Sequence, residues 1–199
     1  MSKSIDFYFD FGSPTSYLAW TQLPKIAAAA GAQLIYHPVL LGGIFQATGN
    51  QSPVMIPLKA VWMFKDLTRF SERYGVIYRQ NPFFPINTMQ LMRAATGIQL
   101  RKPELFDHYL ATIYQAMWAD EQNLGDPAVL ANLFAKAGFD PQEIFALTQD
   151  QEIKDKLRAD TDAAIQRGIF GLPVMFVDDE MYFGQDRLDF VEEALRKDQ

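Results

Sequence analysis

The sequence predicts an α/β fold in which a mixed β-sheet is interrupted by a large all-helical insertion. Short apolar strands stand towards both ends of the chain, while helical periodicity dominates its middle. The elements before this middle block read as βαβ, and those after it read as ββα. We therefore expect residues 1–57 and 168–199 to form one sheet-containing domain, and residues 58–167 to form an inserted α-helical domain.

The first half begins with a strand over about residues 5–10, followed by a helix. Ser13 stands where a side chain caps a helix, and Gly31 supplies a stop signal. A second strand follows over residues 33–40, in which Pro38 indicates the strand end or an edge position. These elements predict a right-handed βαβ unit.

The remaining elements follow from turn and capping signals. Residues 41–57 are rich in Gly, Asn, Ser and Pro and predict a loop, after which helical periodicity runs almost without interruption to about Arg167. Within that block, Asp126 and Asp140 each precede a proline and mark helix starts, and Glu143 is placed for a capping box. Two further strands, over residues 174–177 and 181–183, predict a hairpin, and a closing helix is expected from about residue 186.

Two short segments narrow this prediction to a thioredoxin-like fold. Ser13 follows the first strand where such folds carry a redox cysteine, and this chain contains no cysteine. Leu172 and Pro173 stand at the start of a strand, where such folds have a cis peptide bond that leaves nearby backbone groups free to pair with a ligand. Together the segments predict one site in which a bound ligand must supply any sulfur chemistry.

Composition argues against several function classes. A net charge of −6 and a pI near 4.9 disfavour a nucleic-acid partner, because phosphate neutralisation needs a cationic face. No stretch is long and apolar enough to cross a bilayer, and the first residues lack a signal-peptide core, so we expect a cytoplasmic protein with no membrane partner. Without cysteine, and with His37 and His108 in no metal-binding spacing, no metal site is predicted.

Three groups of motifs resemble one enzyme family, in the same order along essentially the whole chain. They lie at residues 6–17, at residues 49–53 followed by Lys59, and at residues 170–173 followed by residues 184–187. This set resembles the 2-hydroxychromene-2-carboxylate isomerase family, which is close to the kappa-class glutathione transferases and to the wider DsbA-like group. The order and spacing of the set make the resemblance specific.

The resemblance implies glutathione as the cofactor and assigns roles to single residues. Ser13 would be the catalytic residue, with its hydroxyl donating a hydrogen bond to the sulfur of glutathione. The backbone of Leu172 would pair with the cysteinyl part, while Lys59 suits a carboxylate and Asp186 an ammonium group. The implied cofactor-binding residues are Asn50, Lys59, Leu172, Pro173, Gln185 and Asp186.

Asn87 and Trp62 are candidates for the substrate side of the site. Asn87 follows a segment rich in Pro and Phe, and Trp62 could wall a pocket for an aromatic substrate, although its helical spacing is also typical of a core or a dimer contact. The insertion would supply the substrate wall, but its apolar residues form no motif that names an aromatic acid. These residues are Met55, Met63, Phe83, Phe84 and Met89.

The activity implied by the resemblance is glutathione-dependent isomerisation of 2-hydroxychromene-2-carboxylate, or a related aromatic acid, to trans-o-hydroxybenzylidenepyruvate. Reversible addition of the thiolate would remove the double-bond character that otherwise prevents rotation. Two alternatives stay open: a kappa-like transferase that conjugates glutathione to electrophiles, and a redox-dead thioredoxin-like binding module. A homodimer is expected from the resemblance alone.

Overall fold

The first elements follow the predicted βαβ order. The computed structural model describes residues 3–197. It begins with β1 (Ser4–Phe9), α1 (Pro14–Ala30) and β2 (Gln33–Pro38), and the two strands pair in parallel. Ser13 caps α1, and Gly31 ends it in the left-handed conformation at φ 61°, so both boundaries of the predicted helix are confirmed.

The prediction of a loop over residues 41–57 is wrong, because the first half of this segment is helical. The helices of the middle region are α2 (Leu41–Thr48), α3 (Pro57–Tyr74), α4 (Met89–Arg101), α5 (Phe106–Trp118), α6 (Pro127–Lys136), α7 (Pro141–Gln149) and α8 (Gln151–Gln166). Adjacent glycines lower the intrinsic helix propensity of α2, but Ile44 is fully buried. A Cβ atom on Gly43 would lie 3.3 Å from the Thr161 side chain, so the glycine permits close packing on α8. Tertiary contact therefore outweighs local propensity here.

The expected continuity of the helical block is also wrong between α3 and α4. Gly75 ends α3 at φ 65°, and residues 76–88 contain Pro82 and Pro85, which disfavour helix. Hydrogen bonds hold this irregular segment in place: the buried Asn81 side chain donates to the carbonyl oxygens of Met117 and Gln122, at 2.9 Å each.

The helix starts predicted at Asp126 and Asp140 are confirmed, since both side chains accept a backbone hydrogen bond from the first turn. Among the described residues, the Glu143 side chain does not accept the backbone hydrogen bond that the expected capping box requires. Its carboxylate instead pairs with the ammonium group of Lys102.

The C-terminal part of the chain completes the sheet. β3 (Val174–Val177) and β4 (Glu180–Phe183) form the predicted hairpin. The four strands lie in the order β2-β1-β3-β4, with β3 antiparallel to both of its neighbours. A single 3-10 turn (Gln185–Arg187) then leads into α9 (Leu188–Arg196). The sheet is therefore mixed, and the predicted edge position of Pro38 is confirmed.

The hydrophobic core joins the sheet to the insertion. One cluster of buried side chains contains Phe9 and Phe11 from the β1 region together with Tyr114 and Trp118 from α5. The indole N–H of Trp118 donates to the carbonyl oxygen of Phe11 at 2.8 Å. This packing fixes the end of β1, where the candidate site begins, while the domain boundaries after residues 57 and 167 stay a prediction.

Candidate functional site

Ser13 lies directly after β1, at the N-terminus of α1, and is 3% exposed. Its Oγ atom accepts a hydrogen bond from the backbone N–H of Ser16 at 3.1 Å. The same atom lies 3.2 Å from the carbonyl oxygen of Leu172, to which it can donate, and 2.9 Å from the hydroxyl of Thr15. The Ser13 side chain therefore caps α1 and also contacts the loop before β3.

The peptide bond between Leu172 and Pro173 is cis, as predicted. The expectation that both neighbouring backbone groups are free is only half right. The Leu172 carbonyl accepts hydrogen bonds from the hydroxyls of Ser13 and Thr15, at 3.2 and 3.3 Å, because a buried carbonyl needs a donor. The N–H of Leu172 makes no hydrogen bond within residues 3–197. That N–H is the backbone group left for a ligand.

Asn50 contacts the same loop two residues before Leu172. Its amide nitrogen donates to the carbonyl oxygen of Phe170 at 2.8 Å, and its side-chain oxygen accepts from the backbone N–H of Gln51 at 2.8 Å. The chain between α2 and α3 is thereby attached to the segment that precedes the cis proline. The structure thus brings Asn50, Ser13 and Leu172 together.

Gln185 and Asp186 lie in the 3-10 turn that leads directly into α9, which begins at Leu188, two residues after the start expected near residue 186. Gln185 is buried, and its side-chain Oε1 has no hydrogen-bond donor within the described part of the chain. Its backbone carbonyl accepts from the Tyr74 hydroxyl at 2.8 Å, which holds the turn against α3. Asp186 is exposed and forms an ion pair with Arg187 at 2.7 Å.

These residues surround a cleft of about 400 Å³. Its wall includes Ser13, Thr15, Asn50, Trp62, Leu172 and Gln185. Within residues 3–197 the charged side chains on the wall are acidic, Asp66 and Asp186. Lys59 is exposed and does not line the cleft, although Trp62, three residues further along α3, does. The role of Lys59 in cofactor binding therefore stays a prediction.

A larger chamber of about 830 Å³ adjoins this cleft. Both spaces share wall residues Gly12, Leu41, Phe45, Ser52 and Phe84. Asn87 lines the larger chamber. Trp62 lines only the smaller cleft, where it is 61% exposed, so the two substrate candidates face different spaces.

Asp10 is a buried residue that sequence reasoning missed. Its carboxylate accepts hydrogen bonds from the N–H groups of Gly12 and Leu41, at 2.8 and 2.9 Å, and from the Thr88 hydroxyl at 2.6 Å. Burial raises the pKa of Asp10 even though these three donors lower it. The residue joins β1, α2 and the segment before α4. An Asp two residues before a glycine at a strand end is the local signal for such a turn.

Thr15 and Thr88 were also missed, and no local pattern singles them out. Their partners, Leu172 and Asp10, are 157 and 78 residues away in the chain.

Within residues 3–197, no helix combines the length and apolarity needed to cross a membrane.

The comparisons with known proteins agree with this geometry. Residues 4–196 match the family model of the DSBA-like thioredoxin domain. The chain is 32% identical to the 2-hydroxychromene-2-carboxylate isomerase of Sphingobium xenophagum, over 98% of this chain and 99% of that protein. It is 27% identical to glutathione S-transferase kappa 1 of Rattus norvegicus, over 95% of this chain and 89% of the relative.

A solved structure of a 2-hydroxychromene-2-carboxylate isomerase superposes with a TM-score of 0.82 at 30% identity, covering 96% of this chain and 94% of the other. The predicted fold class and the family resemblance are confirmed. These relatives support an enzyme with isomerase or glutathione-transferase-like activity.

Proposed function

Because this chain belongs to the DsbA-like thioredoxin family and, within it, to the 2-hydroxychromene-2-carboxylate isomerase family, we propose that it is a glutathione-dependent isomerase. The proposed substrate is 2-hydroxychromene-2-carboxylate or a related aromatic acid, and the product is trans-o-hydroxybenzylidenepyruvate. The observation that carries the proposal is the Ser13 hydroxyl, which the N-terminus of α1 holds beside the cis proline on the wall of a cleft.

The groups on the cleft wall fit glutathione, a tripeptide thiol with one ammonium group. The Leu172 N–H has no acceptor and the Gln185 Oε1 has no donor among the described residues, so both suit a peptide-like ligand. Asp66 and Asp186 each pair with a nearby arginine, and their carboxylates have further acceptor positions for its ammonium group. We propose that Asn50, Pro173 and these groups hold glutathione, with Lys59 as a contact for one of its carboxylates.

When bound, glutathione supplies a thiolate that adds reversibly to the conjugated carbon of the substrate and so permits rotation of the carbon–carbon bond. Ser13 stabilises that thiolate by donating a hydrogen bond from its hydroxyl group to the sulfur. Lowering the pKa of a thiol from about 8.5 by roughly two units requires about 2.7 kcal/mol. A charge-assisted hydrogen bond and the positive end of α1, whose first turn has no acidic residue, supply a stabilisation of this order.

We propose that the larger chamber holds the aromatic substrate. Its wall shares Phe45 and Phe84 with the cleft of Ser13, so a flat ring can lie beside the thiol. Asn87 supports the orientation of the substrate, because its side-chain oxygen accepts from the N–H of Met89 and its amide N–H groups stay available.

A homodimer in the cytoplasm is the proposed form of the enzyme. Apolar side chains are exposed around the start of α3, with Leu58 at 84% and Val61 at 56% exposure. Contiguous exposed apolar surface is typical of an interface between proteins. The cytoplasm is proposed because it maintains a pool of reduced glutathione.

A kappa-like transferase is the second candidate function, because kappa-class relatives match nearly the whole chain. The two functions differ in the fate of glutathione. Purified protein is incubated with glutathione and 2-hydroxychromene-2-carboxylate, and products are followed by NMR while free thiol is titrated.

Formation of the trans-2-oxo acid with glutathione conserved supports the isomerase. Consumption of one thiol per product supports the transferase. A protein that neither turns over the substrate nor ionises bound glutathione would instead be the binding module.

A further inference from the structure

Within the described residues, a single positively charged side chain lines the larger chamber. Among residues 3–197, Arg158 of α8 is the only Lys, Arg or His on its wall. Arg158 is exposed, and it forms no hydrogen bond or ion pair within that range. By contrast, Lys156 on the same helix pairs with Asp160 at 2.8 Å. The guanidinium group of Arg158 is therefore available to a ligand in the chamber.

The acidic groups near Arg158 do not neutralise it directly. Asp162 lies one helical turn further along α8 and also lines the chamber, yet the two side chains form no ion pair. Asp10, the other acid on the wall, is buried and already accepts hydrogen bonds from three donors. An incoming carboxylate would thus meet a guanidinium that is not yet paired.

The rest of the wall suits the body of an aromatic acid. Apolar side chains dominate the chamber, among them Leu41, Phe45, Phe84, Ile86, Met89 and Ile165. A partly apolar surrounding strengthens a charge pair relative to water. The planar guanidinium can bind both oxygens of a carboxylate, and the amide N–H groups of Asn87 offer a second donor on the same wall.

We infer that Arg158 binds the carboxylate of the substrate and that Asn87 assists it, which makes Arg158 a specificity residue for planar aromatic acids. This inference rests on the proposed function for the aromatic acid as substrate and for the position of the thiol beside Ser13. Phe45 and Phe84 line the same chamber as Arg158 and also border the cleft of Ser13, so one ligand in the chamber can meet both the guanidinium and the aromatic rings.

Cinnamate, an unreactive aromatic acid, and cinnamamide, its uncharged analogue, test the inference by calorimetry without glutathione or turnover. We expect Arg158→Gln to weaken cinnamate binding by about tenfold or more, a change of about 1.4 kcal/mol, and to leave cinnamamide binding unchanged. Arg158→Lys should restore part of the affinity. Lys154→Gln, which removes a charge from the same helix away from the chamber wall, is the matched control.

Equal cinnamate affinity in wild type and Arg158→Gln would overturn the inference, and so would an equal loss in Lys154→Gln or an equal loss for the amide. Because cinnamate binding requires no reaction, this result is independent of whether the protein isomerises its substrate. In turnover experiments, Arg158→Gln should raise KM with little change in kcat, since binding energy is lost equally from the substrate and from the transition state.

A second inference comes from Thr15, whose hydroxyl lies 2.9 Å from Ser13 Oγ and 3.3 Å from the Leu172 carbonyl oxygen. A serine hydroxyl carries one proton, so Ser13 cannot donate to a sulfur and to Leu172 at once. Turning that proton to a thiolate would leave the Leu172 carbonyl dependent on Thr15. We infer that Thr15 is a positioning residue that keeps this carbonyl hydrogen-bonded while Ser13 acts on the thiol, an inference that rests on the proposed function.

The readout is the ultraviolet absorbance of the thiolate of bound glutathione, titrated against pH. We expect Thr15→Val to raise the apparent pKa of the bound thiol and Thr15→Ser to keep the wild-type value. Affinity for S-methylglutathione, which has no ionisable thiol, should be the same in all three proteins. Thr21→Val is the matched control, because the Thr21 hydroxyl donates to Leu18 within α1, outside the cleft wall.

A wild-type pKa in Thr15→Val would overturn this inference alone. A pKa raised equally in Thr15→Ser would also overturn it, because the methyl group and not the hydroxyl would then matter. If wild type itself shows no thiolate absorbance, the proposed activation by Ser13 fails, and this inference fails with it.

Discussion

The hydroxyl of Ser13 lies 3.2 Å from the carbonyl oxygen of Leu172, which is 159 residues further along the chain. Strand register explains this proximity: β1 and β3 are antiparallel neighbours in which Tyr8 lies opposite Val174. The chain that leaves β1 and the chain that enters β3 therefore meet at the same edge of the sheet. The helical insertion lies between these segments in sequence without separating them in space.

Replacing Ser13 by alanine should abolish the thiolate absorbance of bound glutathione near neutral pH. It should also lower kcat by about a hundredfold, which corresponds to a loss of roughly 2.7 kcal/mol of thiolate stabilisation. The same substitution removes a helix cap, which costs about 1 kcal/mol of stability. Asp126→Ala removes the cap of α6 and is the control for that loss. Full activity in Ser13→Ala would contradict the assigned role, as would an equal loss of kcat in Asp126→Ala.

Replacing Gln185 by leucine should weaken glutathione binding by about tenfold, because the side-chain oxygen that lacks a donor in the protein would no longer accept one from the ligand. Calorimetric titration gives the dissociation constant. Gln142→Leu, at the exposed start of α7, serves as the control. Unchanged affinity in Gln185→Leu would mean that this oxygen does not contact the cofactor.

Asp10 should make the free energy of unfolding depend on pH. Burial raises the pKa of this carboxyl, so the folded protein holds its proton more tightly than the unfolded chain. The resulting stabilisation is complete below the unfolded pKa, about 4, and is lost as the pH rises through the raised value. Urea unfolding of wild type and Asp10→Asn, compared from about pH 4 to pH 7, should show wild type losing stability relative to the variant.

Asp6 is the matched control for this pH experiment. Burial alone would raise its pKa, but hydrogen bonds from Arg167 and His37, at 2.9 and 3.0 Å, outweigh burial and lower it. Its contribution is present above the unfolded pKa, about 4, and is lost as the pH falls through the lowered value. Asp6→Asn should therefore change the profile with the opposite sign and below about pH 4, and the urea series is extended to lower pH for this pair. A pH-independent difference between wild type and Asp10→Asn would contradict the assignment.

A charge placed on the exposed start of α3 should dissociate the proposed homodimer. Leu58→Glu introduces a carboxylate at a side chain that is 84% exposed in the single chain, and burying it in an interface is costly. Light scattering coupled to size exclusion gives the mass. Leu100→Glu, on α4, is the control because it is exposed outside this region. A monomeric wild type, or a dimer that survives Leu58→Glu, would argue against this interface.

The sequence by itself determined the order of the strands, the cap of α1 at Ser13 and, through the fold that it predicts, the cis bond before Pro173. The cap depends on residues that are close in the chain, because its hydroxyl accepts from the N–H three residues later. The cis bond was instead predicted from the position of Pro173 at the start of a strand in a thioredoxin-like fold. The alternation of strands and helices is likewise a local pattern, and it was sufficient to predict the mixed sheet.

The tertiary structure alone decided which groups complete the site. α2 is helical because Ile44 and Gly43 pack against distant elements, and Asp10 is relevant because Thr88 bonds to it from 78 residues away. Thr15 and Arg158 acquire their proposed roles only from what they face across the cleft and the chamber. Such contacts depend on the packing of segments far apart in sequence, and no local pattern of residues encodes them.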